Sequence, residues 1–311
     1  MKEEILFELP SLYRDTMRVR SFTFGEGEKD VCIVGQMRGN EYQQLYTISK
    51  LYSRLEELEK KNRIVDGHSI TLIPSVNSSS MNIKKRFWPI DNTDINRMFP
   101  GYDKGETTQR IAAALFERIK DYKYGIQFAS FYMPGTFVPH IRMMKTGYED
   151  TKTAMEFGLP YVILHTPRPF DTTTLNYNWQ IWGVKAFSLY TTTTETIDAQ
   201  ASKQAVDAIL NFLSKEGIIR FTGKEGYISR VVETKDMISL RSENAGFLEV
   251  LKNGGDTVEK GEIIARILDS YSAHVLSEIS SPVDGTICFA SSSPLIYENT
   301  TVFKIIKDDE I

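Results

Sequence analysis

The chain has 311 residues, of which 41% are hydrophobic and 25% charged, and its formal net charge is −4 at pH 7. This length can bury a full core and predicts two domains, and the ordinary composition excludes a disordered chain. The weak negative charge argues against a nucleic-acid partner. The sequence shows neither a run of about 18 apolar residues nor a secretory signal at its start, so we expect a cytoplasmic protein without a membrane partner.

Strand and helix signals alternate through the first two thirds of the chain. Short apolar, β-branched runs predict strands, and apolar residues at helical spacing predict helices between them. The predicted strands cover 31–35, 69–74, 124–130, 161–164 and 186–191, and the predicted helices cover 41–60, 108–120 and about 197–215. This alternation predicts an α/β fold with a mainly parallel sheet flanked by helices, in which ligands bind beyond the carboxyl ends of the strands.

The residue pattern changes at about residue 230, where short β-branched runs separated by glycine turns begin. The segments 244–247, 254–262 and 281–286 resemble those of a small β barrel-sandwich of the biotinyl/lipoyl type. We therefore predict an α/β domain over residues 1–225 and a β barrel-sandwich domain over residues 230–311. A carrier domain of this type bears its prosthetic group on a hairpin lysine, but no lysine occurs from Gly261 to Ala290. We expect no biotin or lipoyl attachment, and instead a lid, a packing partner or a homo-oligomer surface.

The run from Arg86 to Gly101, RFWPIDNTDINRMFPG, contains the most informative motif of the chain. It resembles the substrate-binding signature of the succinylglutamate desuccinylase/aspartoacylase family, which contains zinc-dependent deacylases of N-acyl amino acids. The resemblance implies that Asn96 and Arg97 hold a substrate carboxylate and that Arg86 polarises the scissile carbonyl. A guanidinium suits both tasks, because it is always charged and its planar fork of donors matches a carboxylate. The resemblance also implies a zinc-carboxypeptidase-like fold.

The chain departs from this family at the positions that hold the metal. The family binds zinc through a His-x-x-Glu motif and a later histidine, and the matching positions here are Arg38, Glu41 and Gln127. Arginine has no free lone pair and repels a dication, and an amide oxygen is a weaker zinc ligand than imidazole. The position of the family's catalytic glutamate falls on Tyr190, and a tyrosine with an ordinary pKa is a poor base at neutral pH. Zinc is therefore expected to be absent or weakly bound.

Two other residues could rebuild an active site. Glu195 follows the tyrosine position by five residues and would be the general base if the loop is shifted. His140 lies in a segment similar to the family's pocket-lining stretch, so it is a candidate substitute metal ligand. The two cysteines, Cys32 and Cys288, have no metal-ligand spacing, and we predict that both are buried without forming a disulfide.

Two functions follow from these observations. The first is a family member with a degenerate zinc site, which binds a small carboxylated or N-acyl amino acid ligand without standard zinc hydrolysis. In this case the charge of Arg38 would replace that of the metal through a salt bridge to Glu41. The second is an active amide hydrolase with a rearranged site, built from Glu41 with His140 or Glu195. Sequence alone leaves open whether the chain is an enzyme.

Overall fold

The computed structural model describes residues 1–11 and 15–308 of the chain. The largest unit is a nine-stranded sheet in the order β1-β2-β4-β3-β5-β9-β7-β8-β10. Its strands are β1 (Lys2–Leu9), β2 (Met17–Gly25), β3 (Gly27–Gln36), β4 (Gly67–Ser75), β5 (Tyr124–Ala129), β7 (His140–Met144), β8 (Tyr161–His165), β9 (Lys185–Tyr190) and β10 (Arg230–Glu233).

The sheet is mixed, and its central strands are parallel. Parallel pairing joins β4, β3, β5 and β9, and it also joins β7, β8 and β10. Strand β7 runs antiparallel to β9, so that His140 at the start of β7 pairs with Tyr190 at the end of β9. This reversal places the beginning of β7 at the same edge of the sheet as the carboxyl ends of β3, β5 and β9.

Helices cover both faces of the sheet, as the predicted α/β fold requires. Successive residues of a strand point to opposite faces, and in β3 Val31 and Ile33 pack into one apolar cluster with α1 and α6, whereas Cys32 and Val34 pack into another with α3 and α5. The helices are α1 (Tyr42–Lys60), α2 (Ser78–Asn82), α3 (Thr107–Ile119), α4 (Thr151–Met155), α5 (Leu175–Ile181) and α6 (Ala199–Lys215). None of these described helices is long and apolar enough to cross a bilayer.

The predicted strands and long helices match the structure closely. For example, the strand predicted at 31–35 lies inside β3, and the helix predicted at 41–60 corresponds to α1. The α/β prediction is therefore confirmed, and the sheet, predicted to be mainly parallel, is mixed, with antiparallel pairing at β1–β2, β2–β4 and β7–β9. The sequence pattern does not predict β1, β2 or β7.

The chain after Ile238 forms two smaller sheets around their own apolar cluster. One has the order β11-β18-β16-β13, with β6 also paired to β16, and the other has the order β15-β14-β12-β17. Their strands are β6 (Gly135–Phe137), β11 (Ile238–Arg241), β12 (Gly246–Val250), β13 (Thr257–Val258), β14 (Ile263–Leu268), β15 (Val275–Ser280), β16 (Gly285–Ser291), β17 (Leu295–Ile296) and β18 (Thr301–Lys307).

Strand pairing connects the two parts of the chain, because each part contributes a strand to a sheet of the other. Strand β6 extends from the first part to pair with β16, and β10, which the predicted boundary assigns to the second domain, is the edge strand of the large sheet beside β8. The division at 225–230 stays a prediction. The pairing nevertheless brings the C-terminal sheets against the carboxyl edge of the large sheet, where the pocket described below lies.

The two cysteines are buried free thiols, as predicted. Burial raises the pKa of Cys288 to about 12, and it raises the pKa of Cys32 still further above its usual value. A buried thiol with a raised pKa is not a reactive nucleophile. Both residues therefore act as packing residues.

Candidate functional site

A cavity of about 620 Å³ lies at the carboxyl edge of the large sheet, where the C-terminal sheets cover it. Cationic side chains dominate its charged lining, which contains six cations and two carboxylates. The cationic residues are Arg38, Arg86, Arg97, Arg142, Arg168 and Lys304, and the acidic residues are Asp94 and Asp171. Aromatic and methionine side chains supply an apolar wall, including Phe87, Phe131, Tyr132, Met143, Phe170 and Met237. The cavity is thus suited to an anionic ligand with an apolar portion.

Most of the residues singled out by the sequence converge on this cavity. Arg86, Asn96 and Arg97 line it together with Arg38, and so do Gln127, His140 and Tyr190 from the neighbouring strand ends. Glu41 and Glu195 are not among the lining residues. Glu41 is fully buried beside Arg38, whereas Glu195 is exposed and accepts a hydrogen bond from the side-chain amide of Asn40 at 2.7 Å. Glu195, the candidate general base if the loop were shifted, is therefore a surface carboxylate outside the cavity lining.

Arg38 is the most tightly held cation of the cavity. Its guanidinium donates to Glu41 Oε1 at 3.1 Å and makes two contacts with Asp94 Oδ2, from Nε at 3.0 Å and from Nη2 at 2.9 Å. The salt bridge predicted between Arg38 and Glu41 is thus present. Burial works against the charge of Arg38, but the two carboxylates outweigh it and raise its pKa above the usual value. The guanidinium is a fixed positive charge at this position.

Glu41 is fully buried, and its carboxylate is saturated with donors. Oε1 accepts from Arg38 and from the hydroxyl of Ser130 at 2.7 Å. Oε2 accepts from the backbone N–H groups of Met37 and Arg38, both at 2.9 Å. A carboxylate offers about four acceptor sites, and all of them are used here. The lone pairs of Glu41 therefore already face N–H and O–H donors.

Asp94 is a site residue that the sequence reasoning missed. Its Oδ1 accepts from the backbone N–H of Asn96 and caps the short 3-10 helix Ile95–Arg97, while Oδ2 binds Arg38. One aspartate thus fixes the backbone of the Asn-Arg motif and neutralises part of the Arg38 charge. The available signal was its position, since an aspartate directly before a short helical turn is a typical N-cap.

Asn96 and Arg97 are both held in place by the segment that follows β8. The side-chain oxygen of Asn96 accepts from the backbone N–H of Leu175 at 3.2 Å. Arg97 Nη1 donates to the carbonyl of Phe170 at 2.7 Å and to Asp171 Oδ1 at 3.0 Å. Its guanidinium also lies over the Phe170 ring, 5.1 Å from the centroid. Arg97 is therefore oriented before any ligand binds.

Arg86 is held more loosely than Arg97, and its charge is less compensated. Its hydrogen bonds, to Asn40 Oδ1 at 3.4 Å and to the carbonyl of Phe131 at 3.3 Å, are long. Its Nε is buried and has no hydrogen-bond partner among the residues that the structure describes. Burial, and then the nearby charge of Arg38, lower the pKa of Arg86. The Arg86 guanidinium can therefore gain hydrogen bonds from an incoming acceptor.

Gln127 and His140 present two further buried polar atoms to the cavity. Gln127 Nε2 and His140 Nε2 both lack a partner within the described part of the chain. The other ring nitrogen of His140 lies 2.8 Å from the carbonyl of Val138, which makes Nδ1 the protonated nitrogen and Nε2 an acceptor. The imidazole stacks on Tyr190 with ring centroids 4.5 Å apart. One amide donor and one imidazole lone pair are thus available to a ligand.

His140 also leads to a prediction about pH. Burial lowers its pKa to about 3, whereas an unfolded histidine titrates at about 6.5. The unfolded chain therefore binds the proton first, and the stability contributed by neutral His140 is complete above about pH 6.5 and is lost as the pH falls from there, by up to about 1.4 kcal/mol per pH unit. Urea unfolding at pH 7 and pH 5 should show a loss about 2 kcal/mol larger in the wild type than in His140→Phe, which keeps the stack on Tyr190. Equal losses in the two proteins would contradict this prediction.

His165 and Asp171 form a second buried pair beside the cavity. His165 Nε2 lies 3.0 Å from Asp171 Oδ2, so the buried imidazole has a hydrogen-bond partner. Burial alone would raise the pKa of Asp171, but contacts from His165, the Arg168 backbone and Arg97 outweigh it and hold the pKa below its usual range. Asp171 is therefore an anion at all physiological pH values, and it links Arg97 to β8.

The described residues contain no group of three or more His, Cys, Asp or Glu side chains placed to hold a metal ion. Arg38, which stands at the position of a family zinc ligand, lies between the carboxylates of Glu41 and Asp94. The chemistry of this arrangement is that of an arginine clamped by two carboxylates.

The mixed sheet, its helices and the basic cavity at its carboxyl edge define a zinc-carboxypeptidase-like α/β protein. The family model of the succinylglutamate desuccinylase/aspartoacylase catalytic domain matches residues 27–215, which is more than half of the chain. The chain therefore belongs to the succinylglutamate desuccinylase/aspartoacylase family, as the motif predicts.

Individual relatives agree with this assignment. The chain is 25% identical over 264 residues, 79% of its length and 72% of the relative's, to an N-alpha-acetyl-L-2,4-diaminobutyric acid deacetylase from Halomonas elongata. It is similar to the crystal structure of a succinylglutamate desuccinylase/aspartoacylase from Rhodobacter sphaeroides, with a TM-score of 0.79, 20% identity, and coverage of 99% of this chain and 96% of that one. The product-bound ectoine utilization protein EutE (DoeB) from Ruegeria pomeroyi gives a TM-score of 0.79 at 20% identity, over 98% of this chain and 94% of that one. These structural matches establish the fold over nearly the whole chain.

Proposed function

We propose that this chain binds a small carboxylated or N-acyl amino acid ligand in a site where an arginine has replaced the zinc ion, and that it does not carry out standard zinc hydrolysis. The observation that carries the proposal is the position of Arg38, whose guanidinium joins Glu41 and Asp94. The family is generally zinc-dependent, so the donor set around this position decides whether the usual chemistry is available.

The donor set does not suit zinc. Of the three family ligand positions, only Glu41 keeps a zinc-binding side chain, and all its acceptor sites already receive hydrogen bonds. A dication at this place would be repelled by the guanidinium of Arg38, which is held there by two carboxylates. Without a metal-bound water, and with Tyr190 in place of the general base, both parts of the standard hydrolytic machinery are missing.

Arg38 instead supplies the positive charge that the family obtains from its metal. The guanidinium pairs with the buried Glu41 and the partly buried Asp94, and it keeps the pocket polar. Glu41 and Asp94 in turn prevent Arg38 from binding the ligand with its full fork of donors. Arg38 is therefore a structural element of the pocket, and ligand recognition falls to the cations that remain accessible.

The ligand-binding role falls to Arg86, Asn96 and Arg97. Both hydrogen bonds that hold Arg97 in place start from Nη1, so the rest of its fork can engage a carboxylate. The Arg86 Nε lacks a partner among the described residues, and it can donate to a carbonyl or carboxylate oxygen. The apolar wall around Phe131 and Tyr132 then accommodates an acyl group or an apolar side chain. The relative that acts on an N-acetylated amino acid supports this ligand class.

The alternative is an active amide hydrolase with a rearranged site. The observation in its favour is the lone pair of His140 Nε2, which faces the cavity and has no partner within the described ranges. Against it, the low pKa of His140 makes the imidazole a weak base, and Glu195 lies outside the cavity lining. Chelator-sensitive hydrolysis of N-acyl amino acids would support this alternative and contradict our proposal.

Arg97→Ala should abolish most of the ligand binding. Charged hydrogen bonds contribute about 1.5–3 kcal/mol, so the dissociation constant for a panel of N-acetyl amino acids should rise by about 10- to 100-fold, as measured by calorimetry. The matched control is Arg110→Ala, an exposed arginine on α3 outside the cavity. If both variants bind as tightly as the wild type, or if none of the ligands binds the wild type, the proposal is wrong.

We also propose that the C-terminal sheets form a barrel-sandwich of the biotinyl/lipoyl type that serves as a lid over the cavity. Two observations support this proposal. The C-terminal part of the chain forms two sheets around one apolar cluster. It also contributes Met237, Cys288 and Lys304 to the lining of the cavity. The hairpin between β14 and β15 carries no lysine. The intact mass of the purified protein should therefore show no biotinyl or lipoyl adduct.

A further inference from the structure

A second group of cations lines the cavity away from Arg38. Arg142 lies on β7, Arg168 follows β8, and Lys304 lies on β18. We call these three residues the distal cluster. Within residues 1–11 and 15–308 none of the three makes a salt bridge, whereas Arg38 and Arg97 are both paired with carboxylates. Unpaired cations that line a partly buried cavity indicate a binding site for an anion.

The distal cluster occupies another part of the same cavity and borders the Asn-Arg motif at Arg168, whose guanidinium lies over the Phe170 ring as that of Arg97 does. In the sheet, β5 and β9 separate β3, which ends beside Arg38, from β7, which carries Arg142. Three strand spacings correspond to about 14 Å. The two carboxylates of the lining are already bound elsewhere, Asp94 by Arg38 and Asp171 by Arg97 and His165. The positive charge of the distal cluster is therefore not balanced by the protein.

The surroundings of Arg142 and Lys304 support this conclusion, whereas Arg168 lies at the exposed rim of the cavity. Arg142 Nε is buried and without a partner in the described structure, and Nη1 makes only a long hydrogen bond of 3.4 Å to the Tyr190 hydroxyl. Lys304 is half-buried over the ring of Phe131. Burial, followed by the positive charges of Arg142 and Arg168, lowers the pKa of Lys304. An anion bound among these groups would relieve that repulsion and satisfy the free donors.

We propose that Arg142, Arg168 and Lys304 form a second anion-binding site, which receives a doubly charged tetrahedral oxyanion of the phosphate type carried by the ligand. A single carboxylate would leave about two positive charges uncompensated among three cations, whereas a phosphate group brings a charge of about −1.5 to −2 at pH 7 and three acceptor oxygens. Guanidinium forks bind such oxygens in pairs, and a lysine ammonium adds a point charge. This proposal rests on the proposed function in one respect: it places the carboxylate bound by Arg97 and the phosphate-type group on the same ligand.

The position of Lys304 gives this site a structural role as well. Lys304 belongs to the C-terminal sheets, whereas Arg142 and Arg168 belong to the large sheet and its loops. A phosphate group held by all three would join the two parts of the chain. Binding should therefore raise the midpoint of thermal unfolding along with occupancy.

The test uses inorganic phosphate and sulfate as probes on the full chain, with calorimetry at constant ionic strength. The wild type should bind both ions saturably, whereas chloride should not compete. Lys304→Met and Arg142→Gln should each weaken binding by about 10- to 100-fold, because each removes a charge-assisted contact. The control is Lys307→Met, which changes an exposed lysine on the same strand.

The outcomes separate this inference from the proposed function. Phosphate binding that survives Arg97→Ala but is lost in Lys304→Met supports the distal site, even if N-acetyl amino acids do not bind. A wild type that binds N-acetyl amino acids but shows no saturable phosphate or sulfate binding overturns the distal site alone. Unchanged phosphate affinity in folded Lys304→Met and Arg142→Gln, with folding checked by circular dichroism, overturns it equally.

Discussion

Replacing Arg38 with methionine will lower the free energy of unfolding by about 3–5 kcal/mol. The reason is that the substitution leaves the fully buried Glu41 and the partly buried Asp94 without their common partner. Methionine has a similar length and no donors, so packing changes little while the charge is removed. Urea unfolding at pH 7, followed by circular dichroism, measures the effect.

A matched control separates this effect from the loss of any surface ion pair. Arg54 pairs with Glu57 on α1, and both side chains are exposed. Exposed pairs contribute about 0–1 kcal/mol, so Arg54→Met should stay within that range. A loss of less than about 1 kcal/mol in Arg38→Met would mean that the arginine clamp does not stabilise the site.

The double substitution Arg38→His with Gln127→His will create a zinc site. It supplies imidazoles at the two positions where the chain departs from its family, and it removes the guanidinium that holds Glu41. Two histidines and one glutamate form a usual ligand set for a zinc ion with one open position. Mutation of a residue that only hydrogen-bonds to a zinc ligand already changes the zinc affinity by about 10- to 100-fold. The double variant should therefore bind zinc at least about a hundredfold more tightly than the wild type.

The control for this experiment removes the arginine without restoring the ligand. Arg38→Met with Gln127→His also frees Glu41, but it offers one imidazole fewer, so its zinc affinity should remain well below that of the double-histidine variant. Competition with a chromogenic chelator measures all three proteins. Equal zinc affinity in the wild type and the double-histidine variant would show that Arg38 and Gln127 do not determine metal binding.

The elements that the sequence predicted well are those with a strong repeating pattern. In α1, Ile48, Leu51, Leu55 and Leu58 recur at helical spacing and are buried against the sheet. The central parallel strands are continuous apolar runs, because helices cover both of their faces. The hairpin β1–β2 lies at the edge of the sheet with much of it exposed, and its mixed polarity gives a weaker signal. Strand β7 is short and follows a loop, so its five residues showed no period.

The site was predicted in part, and the missing part consists of partners that are distant in sequence. The Arg38–Glu41 salt bridge could be predicted because its members are only three positions apart in the sequence. Asp94 binds the same guanidinium from 56 positions away, and Asp171 binds Arg97 from 74 positions away. Such pairs depend on how loops meet at the edge of the sheet, which local sequence does not specify. The exposure of Glu195 has the same origin, since only the fold shows which side of its loop faces solvent.

The same reasoning explains the distal cluster. Arg142, Arg168 and Lys304 come from a strand, a loop and the last strand of the chain, and no motif connects them. In the sequence, each of them looks like an ordinary surface arginine or lysine. Only the pairing of β6 with β16 and of β10 with β8 brings the C-terminal sheets, and with them Lys304, to the cavity.

The central claim is that Arg38 occupies the place of the metal in an otherwise retained binding pocket. The most direct measurement is the zinc content of the wild-type protein, determined by elemental analysis after saturation with zinc and removal of the unbound ion by gel filtration, with the double-histidine variant as the positive control. We predict zinc far below one equivalent per chain in the wild type and close to one in the variant. One equivalent of zinc in the wild type, with chelator-sensitive hydrolysis of an N-acyl amino acid, would contradict the claim.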